Sequence, residues 1–129
     1  GSVDICLSFD FVEHLADVDR HFREVCRVLV AEGIYLFQTP NRITNPIIET
    51  IRWRGWRWRV YHRSLQWPWA LKKKLLRAGF ETVSFVKIPP LSDHKLRQVP
   101  WPVRWLFVRL PWKRLPLLCQ TNFFVVAHK

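Results

Sequence analysis

The chain has no methionine and only four glycines, and its three cysteines lie far apart. Each absence excludes something. Gly1, Gly33, Gly55 and Gly79 never cluster, so no Gly-rich loop of the kind that cradles a phosphate or nucleoside is present. Cys6, Cys26 and Cys119 offer neither the close pairs of a zinc site nor the even count of a disulfide framework. Cys6 and Cys26 fall in apolar periodic segments and read as buried, reduced thiols, which points to a reducing, cytoplasmic setting. Every apolar stretch is interrupted by Arg, Lys or Pro well before the ~20 residues of a membrane span. Without methionine, and with Gly1-Ser2-Val3-Asp4 leading straight into a strand, the chain is expected to begin inside a fold. Its 129 residues suffice for one core and not for two.

Acidic residues become scarce after position 41. Residues 1–41 hold seven acids against three arginines, whereas residues 42–114 hold seventeen Lys or Arg against three acids. The overall charge of +11 therefore sits almost wholly in the second part.

Periodicity supplies the elements. Val3, Ile5, Leu7 and Phe9 alternate with Asp4, Cys6 and Ser8, as a strand requires. Val18, Phe22, Val25, Cys26 and Leu29 form one helical stripe. Asp17 suits the N-cap of that helix, Asp19 its first turn, and Gly33 a left-handed stop. Ile34 to Phe37 read as a strand covered on both faces. Strand, helix and strand with tight links make a right-handed parallel crossover unit. Later, Pro68 opens a helix with the stripe Leu71, Leu75 and Ala78, which Gly79 stops. Thr82 to Ile88 read as a strand, a short helix is expected near Val103 to Leu110, and Asn122 to Ala127 form the last strand. His21, His94 and His128 show no partner pattern and read as surface residues.

Several short signatures sit at the junctions of this frame. Asp4 opens the first strand and Glu13-His14 follow its end. Arg27-Val28-Leu29 close the helix, and Thr39-Pro40-Asn41 end the second strand. His62 stands ahead of a helix ending in Ala78-Gly79-Phe80. In this order and spacing they resemble the second half of a class I S-adenosylmethionine-dependent methyltransferase. The usual Lys-Pro-Gly-Gly turn is reduced here to the glycine of Val30-Ala31-Glu32-Gly33.

The resemblance implies an α/β fold, a Rossmann-like methyltransferase sheet of which only the C-terminal half is present. That sheet is mixed, with an antiparallel last strand between the second strand and the Thr82 strand. Residues 1–129 then form one partial domain, with basic Trp-rich insertions at 42–69 and 91–117. It also implies S-adenosyl-L-methionine as cofactor, bordered by Ser8, Phe9, Asp10 and Phe11 at the carboxyl edge of the first strand, where open parallel sheets bind ligands. Asn41, His62 and Trp58 are the expected substrate contacts.

For Glu13 and His14 three readings stand. His14 can act as general base with Glu13 orienting it, which is the catalytic assignment. Asp10, Glu13 and His14, with His62, are similar to a metal cluster of some methyltransferases, but aspartate at the first position shortens the reach, and no metal is assigned. The pair can also simply cap the loop and the coming helix. Phe9 and Phe11 can equally be core residues.

The arginines and tryptophans of residues 52–69 and 101–112 suit an anionic membrane surface, with indoles in the headgroup zone. Phosphate contacts and base stacking on nucleic acid would use the same residues, though less fittingly. The expected activity is methyl transfer to an O, N or C nucleophile of a small, lipid-like acceptor, in the cytoplasm and peripheral to the membrane. The alternative is a non-catalytic basic module that binds membrane or nucleic acid on a degenerate methyltransferase scaffold. Lys72-Lys73-Lys74 read as a solvated helix face.

Overall fold

The structure, a computed structural model, describes residues 1–44, 46, 64–88 and 101–129. The elements are β1 (Val3–Phe9), a 3-10 turn (Val12–His14), α1 (Val18–Val28), β2 (Leu29–Pro40), α2 (Pro68–Ala78), β3 (Thr82–Val86), α3 (Trp101–Arg109), a second 3-10 turn (Leu117–Cys119) and β4 (Asn122–His128). Among the described residues the strands form one sheet in the order β1-β2-β4-β3. β1 and β2 run parallel, and β4 runs antiparallel to both β2 and β3. This is the expected mixed sheet, with the last strand inserted between its two predecessors.

α1 forms where its stripe and cap require. The Asp17 carboxylate accepts a 2.8 Å hydrogen bond from the Arg20 amide, satisfying one donor that the first turn leaves open. Val18, Phe22, Val25 and Cys26 are buried. α2 starts with Pro68 in its first turn and buries Leu71 and Leu75 completely. It ends at Gly79, whose left-handed backbone (φ 107°) lets its amide reach the Leu75 and Leu76 carbonyls. The two helices share one face of the sheet and close over Tyr35, Phe37, Phe123 and Val125, all at most 1% exposed. Each such fully buried apolar side chain contributes roughly 1.5–3 kcal/mol. Lys74 leaves the solvated face expected of it and pairs with Asp19 of α1 at 2.5 Å.

Four expectations are corrected. Gly33 does not stop α1. The helix passes directly into β2 at Leu29, and Glu32, not Gly33, takes the positive φ of 63°. The register slips between Val3 and Ile5, and the bulged residues of β2 bring the backbone close: a Cβ on Gly33 would meet the Val30 carbonyl at 2.9 Å. Glycine is needed there for space.

The alternation in β1 is real, but its apolar set faces away from the helices. Ile5, Leu7 and Phe9 are 56%, 57% and 59% exposed, while Cys6 and Ser8 turn toward α1 and the core. Cys6 is accordingly half-buried rather than buried. His21 is not a surface residue. It is half-buried on α1, with Nε2 3.0 Å from the Tyr35 hydroxyl. β3 is shorter than expected, ending at Val86.

Candidate functional site

The carboxyl ends of β1 and β2 lie side by side, with Phe9 opposite Gln38. Beyond β1 the chain turns sharply. Asp10 adopts a positive φ of 48°, a strained conformation for a residue with a side chain, though among the commoner ones for aspartate. Its carboxylate accepts a 2.8 Å hydrogen bond from the Gln38 amide, which holds the turn against β2. The 3-10 turn follows at once, fixed by the His14 amide donating to the Phe11 carbonyl at 3.0 Å.

That turn aims Glu13 and His14 in different directions. Glu13 points inward and is 1% exposed, and the Thr39 hydroxyl donates to its carboxylate at 3.3 Å. Burial pushes the Glu13 carboxyl above the usual carboxylate range, and nearby Asp10 adds to the rise. Its backbone hydrogen bonding, His14 and the Thr39 contact pull the other way. The His14 ring is 44% exposed, with Nε2 3.9 Å from the Glu13 carboxylate. The structure thus brings the pair together as a buried carboxylate beside an exposed imidazole.

The four residues expected near the cofactor divide by face. The Ser8 hydroxyl is bound to the Tyr35 hydroxyl at 2.6 Å beneath α1, so only its backbone faces the strand end. Phe9 lies on the open sheet face. Phe11 is 45% exposed and meets the His21 ring edge-on at 5.5 Å. Asp10 and Phe11 therefore form the accessible rim.

Asn41 is engaged within the fold. It is fully buried, and its amide donates to the Leu118 and Gln120 carbonyls at 2.8 and 2.6 Å while its oxygen accepts from the Ile43 amide. These bonds tie the end of β2 to the segment entering β4, which makes Asn41 a structural pin. Trp58 and His62 lie outside the described residues. Among the described residues no group of three or more His, Cys, Asp or Glu converges as a metal site would require.

Two features were missed at the sequence level. Gln38 and Thr39 orient Asp10 and Glu13, and the signal was present as a polar pair closing an apolar strand. The stretch 64–67 packs beside the turn, its Ser64 amide donating to the Glu13 carbonyl at 2.9 Å. It carries Trp67, over which the Arg42 guanidinium sits at 5.5 Å and against which Trp69 stacks at 4.7 Å. A cleft of about 410 Å³ lies elsewhere, between α1 and α2, lined by Asp19, Arg23, Lys73, Lys74 and Arg77. None of Ser8 to His14 lines it.

Residues 1–37 match the family model described as a methyltransferase domain. A probable S-adenosylmethionine-dependent methyltransferase of Mycobacterium tuberculosis is 49% identical over 44 residues, which are 34% of this chain and 16% of the relative. A counterpart in Mycolicibacterium smegmatis is 46% identical over 44 residues, 34% of this chain and 17% of the relative. The chain thus aligns with about a sixth of the length of these relatives.

Among solved structures, a methyltransferase of Thermotoga maritima, described as a possible histamine N-methyltransferase, superposes with a TM-score of 0.65 at 14% identity, covering 99% of this chain and 56% of that one. A Mesorhizobium loti methyltransferase gives 0.60 at 19% identity, covering 99% and 62%. These structures share the fold. Over residues 1–37 the sequence thus matches a methyltransferase domain, and the mixed sheet of the described residues has the fold of S-adenosylmethionine-dependent methyltransferases.

Proposed function

We propose that this chain forms the C-terminal half of an S-adenosyl-L-methionine-dependent methyltransferase that acts on an O, N or C nucleophile of a small, lipid-like acceptor. The observation that carries this reading is the rim formed by Asp10, Phe11 and His14 at the carboxyl edge of β1, where an open sheet receives its ligand. Asp10 and the backbone of Ser8 and Phe9 offer an electronegative lip to a sulfonium cation, and Phe11 offers an apolar wall. Methyl transfer depends on in-line alignment and exclusion of water more than on covalent help from the protein.

His14 is the general base in this reading. Its ring is exposed to a substrate, and the buried Glu13 beside it would stabilise the imidazolium that forms when it takes a proton. Asn41 shapes the site by holding β2 against the chain entering β4. Relatives are named as S-adenosylmethionine-dependent enzymes, and a Haemonchus contortus phosphoethanolamine N-methyltransferase of similar fold (TM-score 0.57, 17% identity, 98% of this chain and 33% of that one) was solved with the cofactor bound. Both facts support the cofactor assignment.

Calorimetric titration with S-adenosylmethionine tests the reading in the longest natural protein that carries this chain. Binding there, with Phe11→Ala weakening it and His14→Ala lowering turnover about 10²–10⁴-fold at unchanged cofactor affinity, is the expected result. A protein that binds no cofactor overturns the proposal. The 129 residues alone lack a Gly-rich loop, and their affinity is expected to be weaker than low-micromolar.

A further inference from the structure

Helix α3 is unusual in what it shows to solvent. On a helix of about 100° per residue, Trp101, Trp105 and Val108 fall on one narrow stripe. They are 70%, 50% and 66% exposed, so the stripe is turned outward. Arg104 lies about 60° to one side of Trp101 and Arg109 about 80° to the other, and both are exposed. These five residues line a shallow surface cleft of about 230 Å³. A helix that faces its own core would place such a stripe inward.

We propose that α3 is an interfacial helix that docks this edge of the protein on an anionic lipid surface, with Trp101, Trp105 and Val108 in the headgroup zone and Arg104 and Arg109 on lipid phosphates. Charge complementarity selects this occupant. From Trp101 to Lys129 the sequence holds five Lys or Arg and no acidic residue. Indoles beside basic side chains suit the boundary between headgroups and acyl chains. At nine residues α3 is too short to cross a bilayer, and no helix among the described residues is long and apolar enough to do so.

One indole of the stripe is already engaged within the helix. The Arg109 guanidinium sits 4.2 Å from the centre of the Trp105 ring, which closes that one face of Trp105 to a stacking base. Val108, at the stripe's far end, suits acyl chains.

The strands that flank α3 in sequence end beside the candidate site. The chain reaches α3 from the end of β3 and leaves it for the start of β4, and both strand ends lie at the edge where β2 ends, since Pro40 pairs with Asn122 and Val86 with Phe124. Lys87 reinforces this edge by donating to the Leu115 carbonyl at 2.7 Å. The strand ends that flank α3 in sequence therefore lie on the side of the sheet that carries Asp10 and His14. Docking itself does not rest on catalysis, because vesicle binding and cofactor binding are read separately.

The test is sedimentation of the full chain with vesicles of phosphatidylcholine alone or with 30% phosphatidylglycerol. Binding to the anionic vesicles only, weakening as salt rises, is expected. Arg104→Gln with Arg109→Gln should lower partition about 25-fold, taking about 1 kcal/mol, or fivefold, per charge. Trp101→Ala with Trp105→Ala should lower it about tenfold or more. Unchanged circular dichroism and melting establish that these surface variants remain folded. No binding to anionic vesicles at low salt, or equal binding by the tryptophan variant, overturns the proposal. So does tighter retention on single-stranded RNA than on vesicles with the same variant dependence.

Discussion

The Tyr35 hydroxyl stands 2.6 Å from the Ser8 hydroxyl and 3.0 Å from Nε2 of His21, so one phenol joins β2 to both β1 and α1. Tyr35 is fully buried, its ring stacked on Phe37 at 4.7 Å, and burial pushes its phenol well above the ordinary range. It is a neutral structural link just behind the rim formed by Asp10 and Phe11.

Tyr35→Phe keeps the ring packing and removes only the link. The Ser8 hydroxyl and the His21 ring then lose a partner inside the protein. Urea denaturation should show a loss of about 1–3 kcal/mol, the cost of stranding buried polar groups. A loss below about 0.5 kcal/mol would mean that water satisfies both groups.

Half-buried His21 and buried Glu13 act on stability in opposite senses. Burial lowers the His21 pKa from its ordinary 6.5, so the folded state resists a proton that the unfolded chain accepts. Its contribution is present above pH 6.5 and lost as pH falls through the folded value. For Glu13, burial raises the carboxyl above 4.5, so stability present below that pH is lost as pH rises through the raised value. His21→Gln should flatten the acid slope below pH 6.5. Glu13→Gln should gain on the parent as pH rises from 4.5, because the neutral amide still accepts from Thr39. Melting curves from pH 4 to 8 check both, and parallel curves for parent and variants would refute the assignments.

β1 is an edge of the described sheet, and Ile5, Leu7 and Phe9 expose more than half their surface on the face that α1 and α2 leave open. An apolar edge with unpaired backbone groups favours pairing with another chain. The 129-residue chain should therefore self-associate, and Leu7→Lys should shift it toward monomer in sedimentation velocity without loss of melting temperature. A monomeric parent at 100 μM would contradict this.

Much of the frame was legible before any coordinates. Period two in β1, the 3.6-residue stripe of α1 from Val18 to Leu29, Pro68 opening α2 and Gly79 ending it are local patterns, and local patterns survive because backbone geometry imposes them. The strand order came from the resemblance alone, since nothing in the residues of β4 says which neighbours it will take.

What remained hidden has one physical origin. Alternation divides β1 into two faces but does not say which one a helix will cover, so Ile5, Leu7 and Phe9 were readable as a set and not as an exposed one. Gly33 marked a place where only glycine fits, yet whether it supplies a positive φ or room for the Val30 carbonyl and the Leu29 side chain depends on a bulge against β1. Asn41, Glu13 and His21 were visible as polar residues near strand and helix ends. Their tasks as pin, buried carboxylate and link to Tyr35 were decided by partners up to 79 positions away, such as the Gln120 carbonyl that Asn41 binds. Sequence by itself determined the elements and their chemistry, because these depend on neighbours along the chain. Tertiary structure alone decided which side chains face inward, because burial is set by whatever packs across from them.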